Sequence, residues 1–299
     1  MAGLRDIKRR LTSVKNTRKI TYAMKLVSAA KLKRAQDAVV RSRDYTKSLK
    51  RLVTELTVEL GAKEFSHPLC ENRSVVKNIA LVVVGAGRGL CGGYNTNVNR
   101  KIESFSKEIR KEFPDATIKN FAIGKKPAEY LRRTNKQIEL SLESIPEDPT
   151  KWPLEEVLEK IEKQFLSGEL DKVYIMYTQF RSALSMTVEV ETLLPMATTI
   201  SSEDALFAPK NSFPGQTIIE PTLENAFLAA LSRVFRVRLL QASLDAKASE
   251  LASRMTAMDS ATKNAGDLIK RLQLQYNKLR QAGITGELLD IIGGAEAIN

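Results

Sequence analysis

From Leu244 onward the chain carries one uninterrupted line of mostly apolar residues. Leu244, Ala248, Leu251, Met255, Met258, Thr262, Ala265, Ile269, Leu272, Tyr276 and Leu279 follow one another at alternating steps of four and three. This heptad repeat keeps one stripe on one side of a long helix. No proline follows Pro221, and Gly266 is the only glycine between Pro221 and Gly283. Pro221 itself suits a first helical turn, where a missing N–H costs nothing. At ~1.5 Å per residue such a helix would run roughly 90 Å, so its stripe needs a partner of similar length.

The other end of the chain supplies one. Gly3 is the only glycine before Gly61, and no proline precedes Pro68. Leu4, Ile7, Leu11 and Val14 keep the three-and-four spacing, which Arg18 and Thr21 interrupt. It resumes at Met24, Val27, Ala35 and Val39, then at Tyr45, Leu49, Leu52 and Leu56. All ten prolines lie from Pro68 to Pro221. The expected architecture is an antiparallel two-helix coiled coil built from residues 1–60 and 221–299, with an α/β domain of residues 61–220 inserted between them. Two ordinary amphipathic helices in a bundle would be the alternative, but typical helices are only about 11–12 residues long.

The inserted segment alternates strand and helix signals. Strands are expected over Asn78 to Gly85, Thr117 to Gly124, Gln137 to Ile145, Lys172 to Phe180 and Ser185 to Leu193. Helices are expected over Asn97 to Phe113, Pro127 to Arg133 and Pro153 to Phe165. The continuous apolar run of the first strand is that of a strand buried on both faces. The alternation gives a Rossmann-like α/β class. Residues 198–220 read as a return linker.

Charge is unevenly placed. The chain has 47 Lys and Arg against 35 Asp and Glu, a net of +12, and residues 1–60 alone carry +11. A solvated face, phosphate contacts to nucleic acid, and an acidic protein surface met by a basic rod all fit this pattern. Only Tyr22 and Tyr45 are aromatic on that helix, which disfavours base stacking. Two cysteines without paired spacing, Cys70 and Cys91, suggest neither a disulfide framework nor a zinc site. A single histidine, His67, argues against histidine-based catalysis. The N-terminus lacks the apolar core of a secretory signal, and no apolar run is long enough to cross a bilayer.

Gly87-Arg88-Gly89-Leu90-Cys91-Gly92 fits the G-x-G-x-x-G pattern of a dinucleotide-binding turn. The acid expected at the end of the second strand is missing, because Ala122-Ile123-Gly124-Lys125 stands there. The loop also runs on through Gly93 to Asn97, and no P-loop pattern occurs. Cofactor binding is therefore not expected.

Several stretches resemble the gamma subunits of F-type ATP synthases. They are Met1 to Lys33 with its Lys19-Ile20-Thr21-Tyr22-Ala23-Met24-Lys25 core, Arg88-Gly89-Leu90-Cys91-Gly92-Gly93-Tyr94-Asn95, Ser253 to Met258, Tyr276 to Thr285, and Gly293-Gly294-Ala295. The resemblance is to the bacterial type, without the regulatory insertion of photosynthetic members. It implies the central rotor shaft of a proton-translocating enzyme, with no catalytic site or cofactor of its own. The implied partners are the alpha and beta subunits of the head, the epsilon subunit and the membrane c-ring, with no nucleic acid. The implied location is peripheral, at the cytoplasmic face of the bacterial inner membrane.

By the same resemblance, Met24, Arg254, Arg280 and Gln281 lie at the rotor–stator interface, and residues 88–92 form the central-domain loop. The basic face of Arg9, Arg10, Lys31, Lys33 and Arg34 is expected to meet acidic segments of the head. A basic coiled-coil nucleic-acid-binding protein and a dinucleotide-binding enzyme remain as alternatives.

Overall fold

The structure is a computed structural model that describes residues 2–60, 67–196, 219–220 and 222–296. In chain order its elements are α1 (Ala2–Leu60), β1 (Asn78–Val84), α2 (Tyr94–Glu112), β2 (Thr117–Ile123), α3 (Lys125–Arg133), β3 (Ile138–Leu142), α4 (Leu154–Leu166), β4 (Lys172–Phe180), β5 (Met186–Leu194) and α5 (Leu223–Glu296). The expected order of strands and helices is present, with boundaries shifted by a few residues. The largest changes are α2, which starts three residues early, and β3, which is shorter than the alternating run suggested. Residues 197–218, most of the expected return linker, lie outside the described residues, as does Pro221. The Thr222 hydroxyl caps the start of α5 by accepting from Asn225 N at 3.2 Å.

The chain forms two compact units, residues 1–30 with 254–299, and residues 31–253. In the first, α1 and α5 pair antiparallel. Lys25 Nζ donates to Asp259 Oδ1 at 2.6 Å and Thr262 Oγ1 to Thr21 Oγ1 at 2.8 Å. A Cβ at Gly266 would stand 3.8 Å from Arg18 Nε. Rising numbers on α1 therefore meet falling numbers on α5.

These contacts correct the expected seam of α1. Thr21 is buried and is a member of the seam rather than a break in it. Carried on without pause from Leu4, the three-and-four spacing passes through Arg18, Thr21, Lys25, Ser28, Leu32, Ala35 and Val39. Ser28, Leu32 and Val39 are buried, whereas Val27, Tyr45 and Leu52, chosen because they are apolar, are exposed. The period is the constraint here, and two of the polar seam residues, Thr21 and Lys25, bond Thr262 and Asp259 on the facing helix. On α5 the seam holds through Tyr276, but Leu279 is 45% exposed.

The second unit is built on a five-stranded sheet of order β3-β2-β1-β4-β5. The first four strands are mutually parallel, and β5 pairs antiparallel with β4 at the edge. Alternate residues of β1 serve two cores. Ile79, Leu81 and Val83 pack with Val98, Ile102, Phe105 and Leu131 of α2 and α3. Ala80, Val82 and Val84 pack with α4 and with the Phe227 to Ala246 stretch of α5. Burial on both faces is why β1 reads as an unbroken apolar run.

Candidate functional sites on the helices and the sheet edge

An open α/β sheet binds ligands beyond the carboxyl ends of its strands, where the strand order reverses. Here that point lies between β1 and β4, and α5 fills it. The Tyr94 hydroxyl donates to Ala246 O at 3.2 Å, and Ser249 Oγ donates to Thr178 O at 3.1 Å. Asp245 accepts from Phe180 N at 3.2 Å. A pyrophosphate would have to displace this helix, so the glycine pattern does not make a dinucleotide site. The close approach of β1 to β2 at this edge explains two of the glycines. A Cβ at Gly124, where φ is 107°, would stand 2.5 Å from Gly85 O, and one at Gly85 would stand 2.9 Å from Pro127 Cδ.

The central-domain loop closes on itself instead. Cys91 is buried, and its Sγ donates to Arg88 O at 3.8 Å and accepts from Asn95 Nδ2 at 3.2 Å. Leu90 and Gly92 take left-handed backbone, with φ of 61° and 57°. This turn exposes Arg88 and leaves Leu90 65% exposed, while Gly89 is half-buried. The other thiol, Cys70, is pushed up to about 11 by burial, with Glu71 adding to the shift, so it stays protonated at neutral pH. Both cysteines are free thiols. Among the described residues no three His, Cys, Asp or Glu side chains group as metal ligands.

In the helical unit Met24 is half-buried beside the Lys25–Asp259 pair. Hydrogen bonds from Lys25 and from Lys263 hold the Asp259 carboxyl at about 2. Arg254 is half-buried, and Arg280 and Gln281 are exposed. Beyond them Ile284, Leu288, Leu289 and Ile292 are each more than half exposed. Ile291, part of the expected apolar tip, has a side chain outside the described residues.

The basic face divides. Arg9, Arg10, Lys33 and Arg34 are exposed, with Arg9 reaching its own-helix neighbour Asp6 at 3.2 Å. Lys31 is tied to its own chain, because its Nζ lies 2.5 Å from Glu147 Oε1. The hydrogen bond from Lys31 also holds the Glu147 carboxyl below its ordinary range. Exposed apolar residues, Ile20, Tyr22, Leu26 and Val27, are interleaved with cations along the same helix.

Sequence reasoning missed the Arg43–Asp245 junction. Arg43 Nη2 donates to Asp245 Oδ1 at 2.7 Å and to Phe180 O at 2.6 Å, joining α1, β4 and α5. The available signal was an aspartate next to the seam residue Leu244, among the leucines and alanines of α5 from Leu239 to Ala248. Such a buried acid requires a partner.

The ATP synthase family model matches residues 3–298. The chain is 38% identical over 317 aligned positions to the ATP synthase gamma chain of Trichormus variabilis, covering 100% of both. It is 38% identical over 298 positions to that of Trichlorobacter lovleyi, covering 100% of this chain and 99% of the relative.

The chain belongs to the ATP synthase gamma-chain family.

Among solved structures, a chain of the Euglena gracilis mitochondrial ATP synthase OSCP/F1/c-ring assembly matches with a TM-score of 0.64 at 20% identity, over 99% of this chain and 95% of that one. A chain of the Tetrahymena thermophila central stalk and c-ring matches with a TM-score of 0.55 at 24% identity, over 81% and 99%. At these identities the likeness establishes the fold, a pair of long terminal helices with a mixed sheet between them. These relatives lend no support to the nucleic-acid or dinucleotide readings.

Proposed function

We propose that this chain is the central rotor shaft of a proton-translocating F-type ATP synthase. In this reading rotation of a membrane c-ring turns the shaft, and the shaft presents a different side to each of three catalytic beta subunits in turn. Each beta conformation is selected by the contacts it makes at that angle, so ligand affinity follows rotation. The chain supplies no catalytic group and holds no cofactor; the ATP chemistry belongs to the beta subunits. The end-to-end identity with gamma chains carries the reading.

The surface supports it. The paired helices leave Ile20, Leu26, Val27, Ile284, Leu288 and Leu289 exposed. Apolar side chains on such a surface suit an enclosing sleeve, and the interleaved cations suit acidic loops on it. We assign Met24, Arg254, Arg280 and Gln281 to contacts with beta, and Arg9, Arg10, Lys33 and Arg34 to acidic segments of the alpha/beta head. Lys31 joins that face only if it releases Glu147. The loop of residues 88–92 meets a neighbouring subunit through Arg88 and Leu90.

The functional division is a helix of residues 1–60, a domain of residues 61–220 that meets epsilon and the c-ring, and a helix of residues 221–299. No helix among the described residues is long and apolar enough to cross a membrane. We place the chain peripherally, on the cytoplasmic side of a bacterial inner membrane, held there by the c-ring. Purification of the tagged chain from native membranes tests this. Co-purification of a nucleotide-binding alpha/beta head is expected. Recovery of the chain alone from well-coupled membranes would refute it.

A further inference from the structure

Between α1, the β4–β5 edge and α5 lies a cavity of about 210 Å³, and its wall is rich in unspent donors. Three cations line it, Arg43, Lys47 and Arg238, against two carboxylates, Glu191 and Asp245. Both carboxylates are already engaged. Glu191 accepts from the Tyr177 hydroxyl at 2.6 Å and from Arg238 at 3.3 Å. Asp245 accepts from Arg43 at 2.7 Å, from Gln241 Nε2 at 2.6 Å and from Phe180 N at 3.2 Å.

The donors are not used up. Among the described residues Arg43 spends only Nη2, on Asp245 and Phe180 O, and Arg238 spends only Nη2, on Glu191 and Thr192 O. Each therefore keeps its Nε–H and the N–H groups of Nη1. Gln179 accepts through Oε1 from Arg181 at 3.0 Å, which leaves its amide N–H groups for another partner. Lys47 is exposed on the rim and has no ion pair among the described residues.

A cavity whose carboxylates are engaged and whose cationic donors remain recognises an anion, and its one buried acceptor without a partner among the described residues, Gln241 Oε1, can be met by the O–H of a protonated phosphate. Two guanidinium groups and an ammonium match the tetrahedral oxygens of phosphate, each N–H meeting a charged acceptor. Size narrows the choice further. Pockets for nucleotide-sized or drug-sized molecules run from about 300 to 1,000 Å³, so this one suits a single oxyanion. We propose that the cavity binds inorganic phosphate, held by Arg43, Lys47, Arg238 and Gln179. The bound ion would tie both long helices to the sheet edge at one point. This inference does not depend on the rotor reading.

Isothermal titration of the purified full-length chain with inorganic phosphate at low salt tests it, with ADP as a parallel ligand. Saturable one-to-one phosphate binding is expected, weakened about tenfold or more by Lys47→Gln, as loss of one charge-assisted contact implies. Lys47 is exposed and makes no hydrogen bond or ion pair among the described residues, so that variant is expected to fold, which the thermal midpoint without phosphate checks. The control Lys111→Gln, which removes an exposed cation of α2, should leave the affinity unchanged. Phosphate should also raise the thermal midpoint of the wild type more than that of Lys47→Gln. Three results would overturn the proposal: no saturation by about 10 mM phosphate, equal weakening in the Lys111→Gln control, or unchanged affinity in Lys47→Gln. Tighter binding of ADP than of phosphate, lost in Lys47→Gln, would overturn the free-ion assignment and give the cavity to the phosphate of a nucleotide.

Discussion

Asp245 joins three elements through one carboxylate. It is buried and satisfied by Arg43 from α1, the Phe180 amide from β4 and Gln241 one turn earlier on α5. Replacing it by alanine leaves a buried amide and a guanidinium without their acceptor. Loss of one partner from a fully buried pair costs about 3–5 kcal/mol, and the Arg43 side chain's partial exposure reduces this. Asp245→Ala should therefore lower the unfolding free energy by about 2 kcal/mol in urea titration. A second acid gives a pH signature. Burial pushes the Asp171 carboxyl up, but the amides of Asn78 and Lys77, each at 2.8 Å, together with Arg73 outweigh it and hold it below its ordinary value. A carboxyl that titrates lower in the folded state stabilises the fold fully above the ordinary aspartate value. That contribution is lost as pH falls from there through the folded value. The acid limb of the stability–pH curve should be shallower in Asp171→Asn than in the wild type, with the two curves parallel near neutrality.

At the scale of elements, most of α5 was legible because its seam residues are apolar and evenly spaced. The α1 seam was only half legible. Apolar residues were followed from Val14 to Met24 and Val27, out of phase, whereas the buried line stays in phase through Thr21 and Ser28. Hydrophobicity and periodicity conflict there, and the geometry of two paired helices decides for periodicity. The strands were legible along the chain and nearly in extent, since β1 and β4 are buried runs with turn signals at both ends, but their order in the sheet was not, because pairing depends on contacts far apart in sequence. The Arg43–Asp245 junction was not, because its partners lie 202 residues apart and only folding brings them together. The polar seam leads to a further test. Thr21→Val and Thr262→Val together remove both hydroxyls of a matched pair, so the double variant should stay within about 1 kcal/mol of the wild type. The coupling energy from a double-mutant cycle should be favourable to the native pair. Loss of specific register in the double variant, read from disulfide trapping between the helices, would show that these hydroxyls set the alignment.

For the whole molecule the question is where force passes between this chain and its surroundings. Arg254 and Gln281 are the side chains on α5 to which we assign directional bonds to beta. Hydrogen bonds involving a charged group are worth about 1.5–3 kcal/mol, which is one to two orders of magnitude in rate if felt fully in the limiting state. Complexes carrying Arg254→Leu or Gln281→Leu should assemble normally and hydrolyse ATP about tenfold or more slowly. Wild-type hydrolysis and proton pumping in both would return these residues to ordinary surface positions. Reversal of Arg9, Arg10, Lys33 and Arg34 together should slow turnover at low salt, and the effect should shrink as salt screens the face. The most direct measurement places a bead on the exposed α2 position Lys111→Cys, in a complex otherwise free of reactive thiols and fixed to a surface by its head. With ATP supplied, the bead should turn in one direction and pause at every third of a revolution. A complex that hydrolyses ATP at its normal rate while the bead only fluctuates about one angle would contradict the account.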